Sequence, residues 1–449
     1  MQNESPAVDK SPPPARSKLY LPLKGKFYLS HGLATTWMLF SIVLSVAWVN
    51  DLGSIITLPA AILIIIGLSY IPGYTNAFMV SSLLLDRQPP LKESYPYDPV
   101  TILVACYNEE AGIADTLRYI STQDYTGEVN VIVIDNNSTD RTAAVAENVA
   151  EELGMRLKVI FEASPGKNHA LNSALAYVET ELMLTLDADT LLHKKALRHI
   201  VARFKSSPSD VCAVAGAVLV RNSRGNFLAK IQEWDYFLGI ASIKRLQGLF
   251  QGTLVAQGAF SLYKTDRVRE VEGWPDAIGE DIVLTWRFLG KGWKVYFEPL
   301  AVAFTEVPES LYHFFRQRSR WARGMIEALK VVKPWQQPSP YTKYLTFCNL
   351  VMPYLDFIYT FVWLPGLIMA FFGHYWVVGL TTLLVLPLTF AANFILYTYQ
   401  KRVFKTLNLR VRKNALGFVA YILLYQIIMS PVSVWGYIQE ALKLNRVWK

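Results

Sequence analysis

The sequence predicts an α/β domain set between membrane-spanning α-helices. Two observations carry that prediction. Between about Asp86 and Lys333, short β-branched runs alternate with helical stretches, the pattern of βαβ units around a mostly parallel sheet. Long apolar runs lie on both sides of that stretch. The whole chain is 52% hydrophobic with a mean hydropathy of +0.23, high for a soluble protein.

The N-terminal "NESPAVDKSPPPARSK" is polar and Pro-rich and lacks the apolar run of a signal peptide. Residues 1–30 are expected to be a disordered, basic arm. Leu33 to Val49 and Ile55 to Tyr70 each approach the ~20 residues that cross ~30 Å of hydrocarbon. With "NDLG" as a tight turn between them, residues 31–82 read as a helical hairpin; two buried core helices are the alternative. Trp37, Trp48 and Tyr70 suit an aromatic belt. Lys10, Arg16, Lys18, Lys24 and Lys26 precede the first span, and the turn carries only Asp51. By the positive-inside rule the chain is a multi-pass protein of the inner (cytoplasmic) membrane, with its N-terminus and central domain in the cytosol.

Apolar spans return within residues 347–440, at about Leu350 to Phe372, Trp376 to Tyr397 and Leu416 to Ile438. The basic loop "QKRVFKTLNLRVRK" belongs on the cytosolic side. The last span would then export the tail, 441–449, although that tail is basic. Either that span is partly re-entrant or the rule fails at a short tail. Asp356, in the third span, must face protein or water, because a charge in hydrocarbon is costly. The net charge of +8 suits anionic lipid or phosphate ligands. No basic run has the context of a nucleic-acid motif, so no nucleic-acid partner is expected. Cys106, Cys212 and Cys348 fit neither a disulfide framework nor a CxxC metal site and read as ordinary buried thiols.

Inside the domain, the strands are "VTILVAC", "NVIVID", "LKVIF" and "LMLTLDAD", each followed or preceded by a helical segment. Ligands of open α/β sheets sit beyond the carboxyl ends of the strands. That rule alone selects Tyr107, Asn108 and Glu109, then Asp135 and Asn136, then Asp187 and Asp189. No GxGxxG follows the first strand and no GxxxxGK[ST] occurs, which disfavours dehydrogenases and P-loop nucleotidases. Taken alone, "DAD" would be a helix N-cap pair. At a ligand face it also suits a divalent cation, since Mg²⁺ favours one or two carboxylates plus substrate phosphates.

Five stretches occur together in order: "ACYNEE", "VIDNNSTDRT", "TLDADT", "GED" at 279–281 and "QRSRW" at 317–321. The chain thereby resembles the membrane-embedded family 2 glycosyltransferases, the cellulose, hyaluronan, chitin and poly-N-acetylglucosamine synthases. The resemblance covers about Pro99 to Lys330. It implies a GT-A (Rossmann-like) catalytic domain at 86–305, a UDP-sugar donor, and Mg²⁺ or Mn²⁺ as cofactor. By the same resemblance, Tyr107 and Glu109 are nucleotide-binding elements and Asp135 partners the uracil. Lys167 lies near the diphosphate, and Asp187 and Asp189 form the DxD that grips it through the metal. Gln257 and Gly258 line the acceptor site, and Asp281 takes the general-base position.

The residue chemistry agrees. A carboxylate at Asp281 can take the proton of an attacking sugar hydroxyl. Glu280 beside it, also on the acceptor side, is expected to raise the Asp281 pKa by like-charge repulsion. The bland alternative is an acidic helix start. Leu311, Phe314, Phe315, Trp321, Met325 and Leu329 recur at helical spacing with arginines interleaved, so 306–346 read as amphipathic helices at the membrane surface. Gln317, Arg320 and Trp321 share one helix face. Arg320 can meet the departing diphosphate and Trp321 can stack on the acceptor sugar. Arg316, Arg318 and Arg323 are expected to face lipid.

Longer blocks, such as "GTLVAQGAFSLYK" and "FEPLAVAFTEVPESLYHFFRQRSRW", are most similar to the poly-β-1,6-N-acetylglucosamine synthases. "GED" and "QG" depart from that group's Thr-Glu-Asp and Ser-Gly and are nearer chitooligosaccharide synthase patterns. The implied function is polymerisation of N-acetylglucosamine from UDP-N-acetylglucosamine onto a growing polysaccharide acceptor, with export through the bilayer. A small membrane subunit or export partner fits the same resemblance. Alternatives are another processive synthase, a transferase adding one sugar to a lipid, or an inactive membrane scaffold or transporter.

Overall fold

The computed structural model describes residues 21–87, 89–379 and 385–444. The N-terminal residues that carry Lys10, Arg16 and Lys18, part of the fourth expected span and the last five residues lie outside the described residues. Four described helices are long and apolar enough to cross a membrane: Leu23–Leu44, Leu58–Leu84, Pro340–Phe371 and Ala415–Ala441.

The first hairpin differs in register from its expectation. The first helix starts at Leu23, and "NDLG" lies inside a helix, Val46–Ile55. The break falls at Ile56 and Thr57. The Thr57 hydroxyl caps the next helix by accepting from the Ala60 N–H, with Pro59 in its first turn. A capping Thr followed by Pro is a stronger helix start than "NDLG" is a stop. Likewise, "QKRVFKT" continues the helix Val385–Thr406 instead of forming a loop. Gln400 ties that helix to the domain by donating to the Phe237 carbonyl at 2.8 Å.

The domain is built on one eight-stranded sheet of order β3-β2-β1-β4-β7-β6-β8-β5. Strands β1 (Val100–Cys106), β2 (Val129–Asp135), β3 (Leu157–Phe161) and β4 (Leu182–Asp187) are mutually parallel, as the alternating pattern predicts. Beyond β4 the sheet is mixed. Strand β7 (Phe260–Lys264) runs antiparallel to both β4 and β6 (Val211–Val220), and β5 (Leu191–Leu192) antiparallel to β8 (Lys294–Thr305). Only β6 and β8 pair in parallel there. The expectation of a mostly parallel sheet therefore holds for the first half alone. The two faces are covered by separate apolar clusters, one around Ile102, Val104 and Leu184, the other around Trp274, Trp286 and Phe288.

The helix Leu311–Val331 forms where the spacing predicts it, begun by Ser310 accepting from the His313 N–H. It is not a free surface helix. One side lies against the domain, where Gly279 and Gly324 meet backbone to backbone. A Cβ built on Gly279 would sit 2.6 Å from the Gly324 Cα. The other side packs along the final helix. Arg318 is 2% exposed and pairs with Asp235 at 3.0 Å; Arg323 pairs with Glu440 at 2.8 Å. The expectation that these two arginines face lipid is thus overturned. Their acidic partners lie about a hundred residues away in sequence, beyond any periodicity.

Both ends of Ala415–Ala441 are held by helices attached to the domain. Asn414 donates to the Lys230 carbonyl and the Glu233 carboxylate at 2.8 and 2.7 Å. At the far end Glu440 accepts from Lys330, and Arg323 donates to the Leu444 carbonyl at 2.6 Å. Asp356 faces protein, accepting from the hydroxyls of Ser430 and Tyr437, both at 2.8 Å. Cys106 and Cys212 are buried free thiols and Cys348 is half-buried.

Candidate active site

The parallel strands end in register. Cys106 pairs with Asp135 across β1 and β2, and Ala105 with Asp187 across β1 and β4. Tyr107, Glu109, Asp135 and Asp187 are therefore gathered at one edge by sheet geometry alone. Tyr107 is 41% exposed, as a ring offered to a planar base would be. The Glu109 N–H donates to the Thr142 hydroxyl at 2.8 Å, fixing the turn after β1. The Asp135 carboxylate accepts from the Ser138 N–H at 2.8 Å, closing an Asx-type turn at the end of β2.

Asn136 organises the next loop. Its amide donates to the carbonyls of Glu162 and Ser164, and its oxygen accepts from the Gly166 N–H. Gly166 has φ of +135°, a conformation that only glycine adopts without strain. The result aims Lys167 at the start of its helix, where it pairs with Asp187. Burial alone would lower the Lys167 pKa; Asp187, Glu280 and Asp281 outweigh it, so the ammonium is held charged.

Asp189 accepts from the hydroxyls of Thr190 and Thr305 at 3.1 and 3.2 Å. Burial first, then Asp187 and Glu109, push its pKa up to about 6. Two adjacent carboxylates with excess negative field fit a divalent cation that completes its shell with phosphate oxygens. Among the described residues no cluster of three or more metal-ligating side chains occurs.

The acceptor side is assembled from distant segments. Asp281 lies in the first turn of Glu280–Gly290, and its carboxylate accepts from the Ile282 N–H at 2.7 Å and the Gly258 N–H at 3.4 Å. A Cβ on Gly258 would lie 2.7 Å from the Lys167 Nζ and 3.8 Å from a Glu280 carboxylate oxygen, so the missing side chain leaves room for the Lys167 ammonium beside the acidic pair. Glu280 is buried. Burial and then Asp281 push its pKa up to about 8, with Lys167 and Arg320 opposing. The expected like-charge effect on Asp281 is thus seen on Glu280. Arg320 lies close enough to oppose that rise, which joins the interface helix to the acidic pair. The Glu327 carboxylate accepts from the Gly279 N–H at 3.0 Å and fixes the two helices together. Trp321 is 41% exposed on the same helix, whereas the Gln317 Oε1 is buried without a hydrogen-bond partner.

Gln257 departs from its expected place. Its amide nitrogen donates to the carbonyls of Gly216 and Phe260 at 2.6 and 3.3 Å, so the side chain turns into the sheet and pins the loop. Gly258 alone of that pair meets the site. Four residues escaped sequence reading or were misplaced by it: Thr305, Asp235 and Lys244, which it never singled out, and Arg318, which it assigned to lipid. Lys244, on Ala241–Leu249, donates to the Val255 carbonyl at 3.1 Å beneath the Gly258 loop. Burial pulls its pKa down to about 7 against the attraction of Asp281. Only the "DAD"-type strand-end rule could have found such groups, and none of these four stands at a strand end that the rule examined.

Fold and site together define an α/β domain of the GT-A class with carboxylates gathered at its strand ends, flanked by helices long and apolar enough to span a membrane. Residues 96–324, just over half of the chain, match the family described as glycosyltransferase like family 2, and the chain belongs to that family. The poly-beta-1,6-N-acetyl-D-glucosamine synthase of Staphylococcus aureus (strain COL) is 35% identical over 246 residues, 55% of this chain. That of Staphylococcus epidermidis (strain ATCC 35984) is 31% identical over 268 residues, 59% of this chain. The chain spans 58% and 64% of the length of those two relatives. The mannosyltransferase PcManGT of Pyrobaculum calidifontis, solved with GDP-Man and Mn²⁺, shares the fold. The TM-score is 0.58 at 19% identity, covering 85% of this chain and 99% of that one.

Proposed function

We propose that the protein is a membrane-embedded inverting β-glycosyltransferase that polymerises N-acetylglucosamine from UDP-N-acetylglucosamine and passes the product through the bilayer. The observation that carries this reading is one juxtaposition. Lys167 bridges the DxD pair and the acidic Glu280–Asp281 pair, with Arg320 of the interface helix beside them. The similarity to the staphylococcal synthases supports N-acetylglucosamine as the sugar.

In this reading Tyr107, Glu109 and Asp135 hold the uridine. Asp187 and Asp189 would hold Mg²⁺ or Mn²⁺, which when bound supplies charge neutralisation for the leaving diphosphate. Lys167 and Arg320 add donors aimed at the same charge. Asp281 takes the proton of the acceptor hydroxyl as its oxygen attacks C1. The C1–O bond forms as the bond from C1 to the diphosphate oxygen breaks, and the anomeric centre inverts. Glu280, held protonated near neutral pH, keeps a second negative charge away from the attacking oxygen. Trp321 offers its open face to the acceptor sugar ring, and Gln317 shares that helix face.

The test is purified protein in detergent with Mg²⁺ or Mn²⁺, given UDP-N-acetylglucosamine, UDP-glucose or UDP-glucuronate separately, with products sized by mass spectrometry. A ladder spaced by N-acetylhexosamine is expected. One sugar added to a lipid would refute processivity, and turnover of another donor only would refute the sugar.

A further inference from the structure

The interface helix carries a second arginine, Arg318, that no part of the proposed reaction uses. It is almost fully buried, and its one ion pair stands among aromatic rings. It pairs with Asp235 at 3.0 Å, and the Tyr425 hydroxyl donates to the same Asp235 oxygen at 2.6 Å. Its Nε has no hydrogen-bond partner among the described residues. Aromatic faces stand where partners would be expected. The guanidinium carbon lies 4.1 Å from the centre of the Trp321 ring, 5.2 Å from Phe314 and 5.6 Å from Tyr236.

A guanidinium at that distance from an indole face is a cation–π contact, strongest where water is excluded. It also needs its own charge compensated, because an unpaired buried cation is costly. Asp235 supplies that compensation from the first position of a π-helical turn, Asp235–Ile240, a local widening often found at functional sites. Tyr425 steadies Asp235 from the final helix. One face of Trp321 is thereby covered by the cation while the residue as a whole stays 41% exposed.

We propose that Arg318 is a positioning residue for the acceptor. Held by Asp235 and Tyr425, it locks the Trp321 ring in the attitude that receives a sugar ring, and it ties that attitude to the final helix. Donor binding, at the strand ends, does not depend on it. This rests on the reading of Trp321 as the acceptor platform.

The test is a double-mutant cycle between Arg318→Lys and Trp321→Ala. The lysine keeps the charge beside Asp235 but cannot stack as a plane on the indole. The acceptor is a short N-acetylglucosamine oligosaccharide, and the donor constant is read from UDP release. Arg318→Lys should raise the acceptor KM about tenfold and leave the donor KM within about twofold, as loss of a desolvated cation–π contact would. In the Trp321→Ala background, the same change should add nothing to the acceptor KM. An unchanged acceptor KM in Arg318→Lys would overturn the proposal, as would effects that multiply with those of Trp321→Ala. If Arg318→Lys does not fold, Tyr425→Phe keeps the ring and removes only the hydroxyl. It should shift acceptor KM and product length without shifting donor KM; equal shifts in both constants would refute the role. A wild type that ignores UDP-N-acetylglucosamine but consumes another UDP-sugar refutes the donor assignment instead. The cycle is then run with that donor and its oligosaccharide.

Discussion

The two halves of the candidate site are built by different means. The donor half stands on the ends of parallel strands β1, β2 and β4, where register alone brings Asp135 and Asp187 to one edge. Asp135 is fixed by a neighbour three residues on, Ser138, and the Glu109 turn by Thr142 on the helix that follows β2, whereas Asp189 also draws on Thr305 at the end of β8. The acceptor half has no such scaffold. Asp281, Gly258 and the Arg320–Trp321 pair come from three segments, held by long-range contacts such as Glu327 to Gly279 and Arg318 to Asp235. In the proposed reading, then, the nucleotide side rests mainly on the register of parallel strands, whereas the acceptor side depends on how helices pack against one another.

The sharpest way to separate the halves is Asp281→Asn. Transfer should fall by about three orders of magnitude, as loss of a positioned general base does. Binding of UDP-N-acetylglucosamine by calorimetry should stay within about twofold. Equal loss of binding would mean that the halves are not separable.

Next in size is the packing of the interface helix on the final helix. Arg323→Met leaves the buried Glu440 with only the more exposed Lys330. Thermal unfolding in detergent should show a loss of about 3 kcal/mol, typical of a broken buried pair. Lys330→Ala, at the wetter side of the same carboxylate, should cost less than about 1 kcal/mol. Similar losses for the two variants would show that burial does not set the strength here.

A smaller effect should appear in the pH dependence of Glu280. Its pKa is near 8 in the folded chain against an ordinary 4.5, so the folded state binds the extra proton between those values. The associated stability is complete below about pH 4.5 and is lost as pH rises towards 8. Glu280→Gln, a mimic of the protonated acid, escapes that loss. The Tm of the variant minus that of the wild type should therefore grow from pH 5 to pH 8; a flat difference would place the proton elsewhere. The smallest expected change is Thr305→Val, which removes one of two hydroxyls on Asp189. At about 1 kcal/mol it should raise the half-saturating Mn²⁺ concentration several-fold without touching acceptor KM.

Much of the donor half was legible because β-branched runs fix strands and strand ends fix where ligands sit. The Leu311–Val331 helix was legible from its apolar spacing. Its orientation was not: periodicity marked Arg318 and Arg323 as basic residues on an amphipathic helix, and the natural partner for such residues is lipid. Asp235 and Glu440, which bury them, carry no local signal. The backbone ties of Gln257 were not legible for the same reason, since the carbonyls its amide binds belong to β6 and β7. The hairpin break moved to Thr57 because a cap and a proline in the next helix outweighed a polar "NDLG".

The sequence by itself determined the α/β core, the apolar helices around it and the carboxylates at the strand ends, because strand and helix periods and end positions are local properties of the chain. The tertiary structure alone decided the mixed second half of the sheet, the burial of Arg318 and Arg323, and the contacts that tie both ends of the final helix to helices attached to the domain. Those outcomes depend on charges and carbonyls finding partners a hundred residues away, where burial makes each unpaired group costly and so selects one packing.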